Sequence, residues 1–335
     1  MNKLHPTKEN QPEDIVFRPK NFEEYIGQNT IVSNLKISME ASIQRNQPIE
    51  HVLLFGPPGL GKTSLASVIA NELKSNIIRT TATSIKRIID LFSIIMSLDP
   101  MDILFIDEVH RLDKRVEEAL YSVMEDYSIQ IIRGSGKNIK AMTIPCNPFT
   151  LIGATTRAGL LSKPFRDRFG HSFAFEYYHI EELITVIRRL APKLDIQIEE
   201  REAEEIAKRS RGTPRIAIHL LKRVSDFSLV KKQKTISMKI LLDAFDTLKI
   251  DQIGLSELDR KYLRILFLKS GRPIGIDTIC AILSDDRTTL EEVTEPYLLS
   301  INFIEKTNRG RVITREGLHY LKENQILVNH EELLF

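Results

Sequence analysis

A glycine-rich segment in the first quarter of the chain has the residue types and spacing of a phosphate-binding loop. Residues 56–63 read GPPGLGKT, which fits GxxxxGK followed by Ser or Thr, and they separate an apolar run at 51–55 from a helical pattern. Glycines let the backbone curl so that successive N–H groups point at phosphate oxygens. Lys62 would then reach the β- and γ-phosphates of a nucleotide, and the Thr63 hydroxyl would ligate Mg²⁺. The alternative is a Gly/Pro loop that only turns a strand into a helix, and both flanks argue against it.

A second motif places two adjacent carboxylates at the end of an apolar run. Residues 102–110 read DILFIDEVH, which is typical of a buried strand with an acidic end. Asp107 would hold Mg²⁺, directly or through water, and Glu108 is placed to polarise an attacking water. Activation of water predicts hydrolysis of the nucleotide rather than phosphoryl transfer to a second substrate. A solvated acidic turn is the alternative.

Further polar positions could serve the same site, although the residues alone leave their roles open. Thr156 ends the strand-like run 151–157 and could orient water or the γ-phosphate, or act as an ordinary cap or turn residue. Arg166 and Arg168 lie close to an apolar turn, in KPFRDRFG, and surface ion pairs are an equally good account of them. Arg215 follows a Thr N-cap and a Pro, at a helix start where a cation opposes the helix dipole. We therefore favour a phosphate contact for Arg215.

Alternating patterns predict the elements that position these residues. From about residue 31 to 180, helical patterns alternate with strand-like runs at 51–55, 103–106 and 150–153. This alternation predicts an α/β domain with a parallel sheet flanked by helices. After Tyr178 the strands disappear from the pattern, and residues 180–248, up to the C-terminal part, are predicted to form several helices.

The C-terminal part has the pattern of three helices and a hairpin, which is typical of a winged helix. The predicted helices cover 256–269, 277–283 and 287–299, and the predicted hairpin covers 302–314. From residue 255 to the end, 11 Lys+Arg against 13 Asp+Glu give a net charge of −2, so this is not a basic domain.

The predicted hairpin nevertheless carries a local cluster of cations. Residues 306–315 contain four basic side chains and no acid. Arg309 and Arg311 flank Gly310 at the predicted tip, where guanidinium groups could reach DNA phosphates without reading base sequence. Arg287, at the start of the predicted recognition helix, could add a contact. A solvated wing is the alternative.

Composition sets outer limits on the class of protein. The 335 residues suggest two or three domains, and 42% apolar with 27% charged residues argue against extensive disorder or a fibrous protein. With 47 Lys+Arg against 45 Asp+Glu, the net charge of +2 gives no support for nucleic-acid binding. Two distant cysteines make a disulfide framework or zinc site unlikely. The N-terminus lacks a signal-peptide pattern and no run matches a membrane span, so we expect a cytoplasmic protein without membrane contact.

The motifs and the stretches around them resemble the AAA+ ATPases and, within these, the RuvB family of Holliday junction branch migration motors. The resemblance runs in order from about residue 13 to 320, in FRPKNFEEYIGQ, LLFGPPGLGKT, DILFIDEVHRL, VEEALYSVMEDY, FTLIGATTRAGLLSKPFRDRFG, RGTPRIAIHLLKRVSDF and the C-terminal RKYLRIL, GRPIGIDTI, LEEVTEPYL and GRVITREG. The run GATTRAGLL followed by PFRDRFG is far more specific than a P-loop. The resemblance implies an ATP hydrolase that pumps duplex DNA in recombination and DNA repair.

The resemblance also implies a homohexameric ring with ATP held at each subunit interface. Thr156 matches sensor 1, Arg215 matches sensor 2, and Arg168 matches the arginine finger given to the neighbour's γ-phosphate. Phe17 and Arg18 match positions that flank the adenine, and Tyr178 matches the lid contact. The other nucleotide-side positions are Gly59, Gly61, Ser64, Glu125, Asp126 and Tyr127.

Partners and domains follow from the same resemblance. Alternation in residues 128–145 around GSG predicts a β-hairpin, and Met142 and Ile144 match its apolar contacts with the junction-binding protein RuvA. The Holliday junction itself and the resolvase RuvC are the other implied partners. The expected domains are an N-terminal arm, an ATPase domain, a helical lid and a winged-helix DNA-binding domain, at 1–20, 21–179, 180–252 and 253–335.

Two segments depart from the family pattern. Residues 82–90 read ATSIKRIID where the family has a Gly-Pro loop with a Glu-Lys pair, and the tail after residue 321 has no clear counterpart.

The alternatives to a DNA motor are a protein unfoldase, which would leave the winged helix unexplained, and a regulator that binds ATP as a switch. The Asp107–Glu108 pair argues against such a regulator.

Overall fold

The computed structural model describes residues 17–133, 140–269 and 271–324. The chain divides into two compact units that meet between Thr185 and Val186. Within the described residues, no helix is long and apolar enough to cross a membrane.

A five-stranded parallel sheet forms the centre of the first unit. Its strands join in the order β2-β3-β6-β1-β7, and β4 and β5 form a separate antiparallel pair. The strands are β1 (Val52–Phe55), β2 (Ile77–Thr81), β3 (Ile103–Asp107), β4 (Ser128–Arg133), β5 (Lys140–Pro145), β6 (Thr150–Thr155) and β7 (His171–Ala174). Because β3, β6 and β1 are parallel neighbours, the loops that follow them leave the same edge of the sheet.

Five helices of the first unit accompany this sheet. They are α1 (Asn29–Arg45), α2 (Lys62–Leu73), α3 (Ile88–Ile95), α4 (Lys114–Asp126) and the short α5 (Lys163–Arg166). The next helix, α6 (Ile180–Leu190), contains the division between the two units. In α4, Val116, Leu120 and Val123 recur at the spacing of one helix face and are buried against the core. Asp113 caps this helix by accepting a hydrogen bond from the Arg115 N–H at 2.9 Å.

The three strands predicted from the sequence are all present, and the predicted parallel sheet is confirmed. The sequence reading missed β2 and β7, which are the two edges of the sheet. Edge strands are only half covered, so IIRTT and HSFA lack the continuous apolar run that marks a central strand.

The second unit begins with a small group of helices. They are α7 (Glu200–Lys208), α8 (Pro214–Val230) and α9 (Met238–Thr247), and two short strands, β8 (Gln197–Ile198) and β9 (Thr235–Ile236), pair in parallel between them. The prediction that strands disappear after Tyr178 was therefore wrong. A strand of two residues is too short to leave a period in the sequence, and only the fold brings its partner alongside.

The rest of the second unit forms the predicted winged helix. Its elements are α10 (Glu257–Leu268), α11 (Ile276–Leu283), α12 (Arg287–Thr289), a π turn (Leu290–Thr294), α13 (Glu295–Ser300), β10 (Ile304–Thr307), β11 (Gly310–Ile313) and α14 (Arg315–Glu323). The helix expected over 287–299 is present, although its α-helical hydrogen bonding is interrupted by the π turn. The helix α14 was not predicted. Ile274 adds a bridge to Arg311. Gly310 has φ 136°, and a Cβ there would lie 2.3 Å from the Ile274 carbonyl oxygen, so the turn requires glycine.

Candidate nucleotide site

The glycine-rich loop joins β1 to the N-terminus of α2, as the motif predicts. Gly56, Gly59 and Gly61 have φ of 139°, 80° and 95°, a region that residues with a side chain rarely adopt. At Gly56 a Cβ would also lie 2.7 Å from the Phe175 carbonyl oxygen. The loop backbone can therefore take this path only with glycine at these positions, and Thr63 and Ser64 follow in the first turn of α2.

Lys62 is buried beneath this loop with 8% of its surface exposed. Its Nζ donates hydrogen bonds to the carbonyl oxygens of Gly56 at 2.7 Å and Pro57 at 2.8 Å. Burial lowers the pKa of Lys62 to about 8, and the nearby carboxylates of Glu108 and Asp107 oppose this only in part. Because this pKa lies close to neutral pH, a charged group that approaches Lys62 changes the fraction of the lysine that is protonated.

Nucleotide binding should consequently draw a proton onto Lys62 in mildly alkaline solution. A bound phosphate favours the ammonium form, so the complex holds more protons than the free protein above pH 8, and affinity for ATP should fall as pH rises. We expect uptake of close to one proton at pH 9 and about a tenth of one at pH 7. Titration calorimetry in buffers of different ionisation enthalpy measures this number. Equal uptake at both pH values would contradict the assignment.

Two tyrosine hydroxyls form hydrogen bonds with backbone carbonyl oxygens of the glycine-rich loop. The hydroxyl of Tyr25 donates to the Gly61 carbonyl oxygen at 3.4 Å, and that of Tyr178 donates to the Leu60 carbonyl oxygen at 3.3 Å. Burial raises the pKa of Tyr178 to about 12 and raises that of Tyr25 as well. The resemblance implied Tyr178, whereas Tyr25 was not singled out, although it lies in the quoted FEEYIGQ stretch.

Phe17 and Arg18 begin the described part of the chain and are half-buried. Arg18 lies near Arg79, whose pKa is lowered by burial and, to a lesser degree, by the charge of Arg18. An anion near these two guanidinium groups would relieve their repulsion.

The predicted water-activating carboxylate meets the predicted sensor threonine. Glu108 follows β3 with φ 52°, and its N–H donates to Asp107 Oδ1 at 3.0 Å. The Thr156 hydroxyl, which follows β6, donates to Glu108 Oε2 at 3.2 Å. The parallel pairing of β3 and β6 brings these residues together across 48 positions of sequence.

His110 is a further member of this cluster that the sequence reading left without a role. Its Nδ1 lies 3.0 Å from Glu108 Oε2 and 2.8 Å from Thr155 Oγ1. The side chain is 7% exposed. The Thr156 hydroxyl donates to Glu108 Oε2, and His110 Nδ1 donates to the same oxygen in the tautomer that carries its proton on Nδ1. The motif DEVH contained the signal, a polar residue two positions after the acids.

The donor set at the strand ends fits Mg²⁺. Thr63 and Asp107 offer a hydroxyl and a carboxylate, which are the hard oxygen ligands that this ion prefers. Across the described ranges, no group of three or more His, Cys, Asp or Glu side chains could hold a metal ion. A site with few protein ligands suits Mg²⁺ that completes its coordination with phosphate oxygens and water.

Arg168 and Glu125, both implied as nucleotide-side residues, lie against each other in the same chain. Arg168 Nη2 is 3.1 Å from Glu125 Oε1, and Nη1 donates to the Pro164 carbonyl oxygen at 2.8 Å. Asp126 is exposed, whereas the ring of Tyr127 packs edge-on against His51 with 6.3 Å between ring centroids. The contact with His51 therefore gives the Tyr127 ring a packing role within the same chain.

Three family descriptions match the chain in succession. They are the P-loop domain of the Holliday junction DNA helicase RuvB at residues 17–175, the RuvB AAA lid domain at 178–251 and the RuvB C-terminal winged helix domain at 252–322. The chain belongs to the RuvB family. Its fold is therefore that of an AAA+ P-loop domain, a lid and a winged helix.

Curated relatives and solved structures agree with membership of the RuvB family. The Holliday junction branch migration complex subunits RuvB of Ehrlichia ruminantium (strain Gardel) and Fusobacterium nucleatum are each 50% identical over 93% of this chain and 94% of their own length. The Thermotoga maritima RuvB Holliday junction branch migration motor is 46% identical, with a TM-score of 0.82 over 91% of this chain and 98% of its own.

In the RuvB lid domain, Arg215 lies where the sequence predicted it. Thr213 caps α8 by accepting from the Ile216 N–H at 3.4 Å, and Pro214 opens the helix. Arg215 is exposed in the first turn. Its guanidinium therefore leaves the first turn of a capped helix, which is the position that the sequence predicted, and its phosphate contact stays a prediction.

In the RuvB winged helix, the predicted cationic tip is only partly present. Arg309 is exposed in the turn, but the side chain of Arg311 is 13% exposed and pairs with Glu295 at 2.8 Å and Glu291 at 3.1 Å. The expectation that Arg311 projects at the tip was wrong. Arg311 lies opposite Lys306 in the hairpin ladder, and the buried Glu295 draws both cations to one face.

Arg287, the third cation expected to contact DNA, lies at the start of the interrupted helix. Its side chain is 58% exposed and pairs with Glu291 at 3.2 Å and Asp277 at 3.6 Å. Exposed pairs of this kind are weak, so a phosphate could compete for this guanidinium.

The hairpin predicted between the acidic motif and sensor 1 is formed by β4 and β5. Met142 and Ile144 lie opposite Ile131 and Ile129 in its ladder. Met142 is 49% exposed, whereas Ile144 is half-buried and packs against the core. The predicted turn at 134–136 lies outside the described residues.

Proposed function

We propose that this chain is the ATP-driven motor of a Holliday junction branch migration complex, which hydrolyses ATP to pump duplex DNA in recombination and DNA repair. The observation that carries the proposal is the Glu108–Thr156 contact beside the P-loop, in a RuvB-family chain that ends in a winged helix. A carboxylate placed to activate water supports hydrolysis of ATP. A winged-helix domain on the same chain supports the coupling of that hydrolysis to movement of DNA.

Each residue of the site has a role in this reaction. Lys62 and the loop N–H groups bind the phosphates. Thr63 and Asp107 would hold Mg²⁺, which would supply positive charge to the phosphates. Glu108 polarises the attacking water, and Thr156 orients the Glu108 carboxylate and the γ-phosphate. Arg215 contacts the phosphates from the lid, and its displacement on hydrolysis moves the lid.

The assembly we propose is a homohexameric ring in the cytoplasm that works with RuvA on the junction and with the resolvase RuvC. Arg168 acts in trans on the ATP of the neighbouring subunit. Glu125, which pairs with it, and the exposed Asp126 belong to the same interface.

Met142 supplies the exposed apolar contact for RuvA, because an exposed Met on a hairpin edge is otherwise a liability. Ile144, which packs against the core, anchors the same strand. The domain boundaries at 20, 179 and 252 stay part of the proposal.

A protein unfoldase, the alternative reading, is not favoured. It offers no use for the winged helix, and the curated relatives are subunits of branch migration complexes.

The test is an assay of ATP hydrolysis and branch migration on a synthetic four-way junction, with and without RuvA. We expect ATP-dependent separation of the junction into duplexes, stimulated by RuvA. Hydrolysis without any separation in either condition, with folded protein, would refute the motor function.

Binding of the wing to DNA should depend on Arg309. Replacing it by alanine (R309A) should weaken binding to duplex DNA and reduce the slope of log affinity against log salt by about one, because one phosphate is no longer neutralised. Lys261, 52% exposed on α10, is the matched control, because K261A removes the same charge from the same domain. Filter binding across a salt series measures both slopes. Equal slopes for R309A and K261A would place the DNA contact elsewhere.

A further inference from the structure

The aromatic ring of Tyr121 lies under the guanidinium of Arg168. The Cζ atom of Arg168 is 4.3 Å from the ring centroid, well inside the range of a cation–π contact. Arg168 is 21% exposed in its side chain, and its Nε is buried without a hydrogen-bond partner among the described residues. The ring therefore contacts one face of this guanidinium, while Glu125 and the Pro164 carbonyl oxygen contact its nitrogens.

Tyr121 is itself held in place by two polar contacts and one aromatic contact. Its hydroxyl donates to Glu117 Oε1 at 2.7 Å and lies 2.9 Å from Ser162 Oγ. Its ring packs against the fully buried Phe165, with 6.0 Å between centroids. A tyrosine fixed on these sides has little freedom to rotate, so it can act as a rigid platform.

One face of α4 supplies most of this arrangement. Glu117, Tyr121 and Glu125 recur every four residues and therefore lie on one side of the helix. Glu117 accepts a hydrogen bond from the Tyr121 hydroxyl, and Glu125 pairs with Nη2 of Arg168. Ser162 joins α4 to the cap of α5, since its Oγ also accepts from the Phe165 N–H at 3.3 Å.

We propose that Tyr121 is a positioning residue for the arginine finger, whose ring holds the Arg168 guanidinium in the orientation that meets the ATP of the neighbouring subunit. This inference rests on the proposed function, in which Arg168 acts in trans. A long arginine side chain loses much rotational freedom when it stabilises a transition state. A platform that restricts it beforehand lowers that cost and raises kcat without changing how the subunit binds its own ATP.

The test compares Y121L, which removes the ring, with Y121F, which keeps it. We expect Y121L to lower kcat for ATP hydrolysis about tenfold with KM within about twofold, and Y121F to stay within about twofold of the wild type. Thermal unfolding and gel filtration check folding and assembly. Y121M, whose longer and more flexible side chain adapts to the space of the ring without offering a ring face, replaces Y121L if that variant does not fold.

Mixed rings separate positioning of the finger from damage to the subunit's own site. In equal mixtures, Lys62→Ala subunits bind no ATP but offer an intact finger to Y121L neighbours, so activity should exceed the average of the two pure proteins. R168A mixed with Lys62→Ala is the reference. If Lys62→Ala subunits restore activity to R168A but not to Y121L, Tyr121 does not position the finger. A wild-type kcat in pure Y121L would contradict the proposal as well. Failure to rescue R168A refutes the trans role in the proposed function instead.

Discussion

Replacing Glu108 by glutamine should leave ATP binding intact and lower the rate of hydrolysis by at least about 100-fold. Glutamine has the same shape, and its amide oxygen can still accept from the Thr156 hydroxyl, which lies 3.2 Å from Glu108 Oε2. What it lacks is the negative charge that polarises water. The phosphates depend on Lys62 and on the loop N–H groups, all of which stay in place. Because the Glu108 charge also raises the pKa of Lys62, the two proteins are compared below neutral pH, where this lysine is protonated. Binding and chemistry should therefore separate cleanly.

The measurement is the steady-state ATPase rate together with the dissociation constant of ATP for E108Q. Glu118, exposed on α4, gives a matched control, because E118Q removes one negative charge from the same unit away from the strand ends. We expect E118Q to behave as the wild type. Undiminished hydrolysis by E108Q would remove Glu108 from the mechanism and leave the water to another group.

Replacing Arg168 by alanine should lower hydrolysis about 1,000-fold, because an arginine finger neutralises charge that develops on the γ-phosphate. Nucleotide binding by the variant should be retained, since the finger serves a neighbour's ATP. Loss of Arg168 also leaves Glu125 without its partner at 3.1 Å, but the Glu125 side chain is 55% exposed, so water can replace the guanidinium.

Arg166 is the matched control for this experiment. It is exposed two residues earlier in the same PFRDRF segment, and R166A should hydrolyse ATP at close to the wild-type rate. The assay is the ATPase rate of both variants at equal ring concentration, with nucleotide affinity measured separately. A wild-type rate for R168A, or equal losses in the two variants, would refute the assignment of the finger.

Local motifs were readable because their chemistry depends on neighbours in sequence. The P-loop needs glycines at fixed offsets from Lys62, and the capped helix start before Arg215 needs Thr and Pro in adjacent positions, so both appear in the chain as written. The choice between Arg166 and Arg168 was different. The residues alone left it open, and only resemblance to a family preferred Arg168, to which the fold adds the Tyr121 and Glu125 contacts.

Electrostatic surroundings were less predictable than residue types. Arg311 was expected at an exposed tip, yet the ladder of β10 and β11 turns it toward Glu295, which lies 16 positions away. Strand register decides which face a side chain occupies, and a buried carboxylate on a neighbouring helix decides where a cation points. Neither strand register nor the place of a carboxylate on a neighbouring helix leaves a repeating pattern in the sequence.

The sequence by itself determined the chemistry of this protein: a phosphate loop, a pair of carboxylates after a strand, and a winged-helix pattern, because each is a local arrangement of residue types. The tertiary structure alone decided which distant groups meet. The parallel pairing of β3 and β6 brings Thr156 to Glu108, and the packing of α4 beside the segment that carries Arg168 brings Tyr121 beneath that guanidinium. Such contacts depend on how elements pack, which is a property of the whole core and not of any one segment.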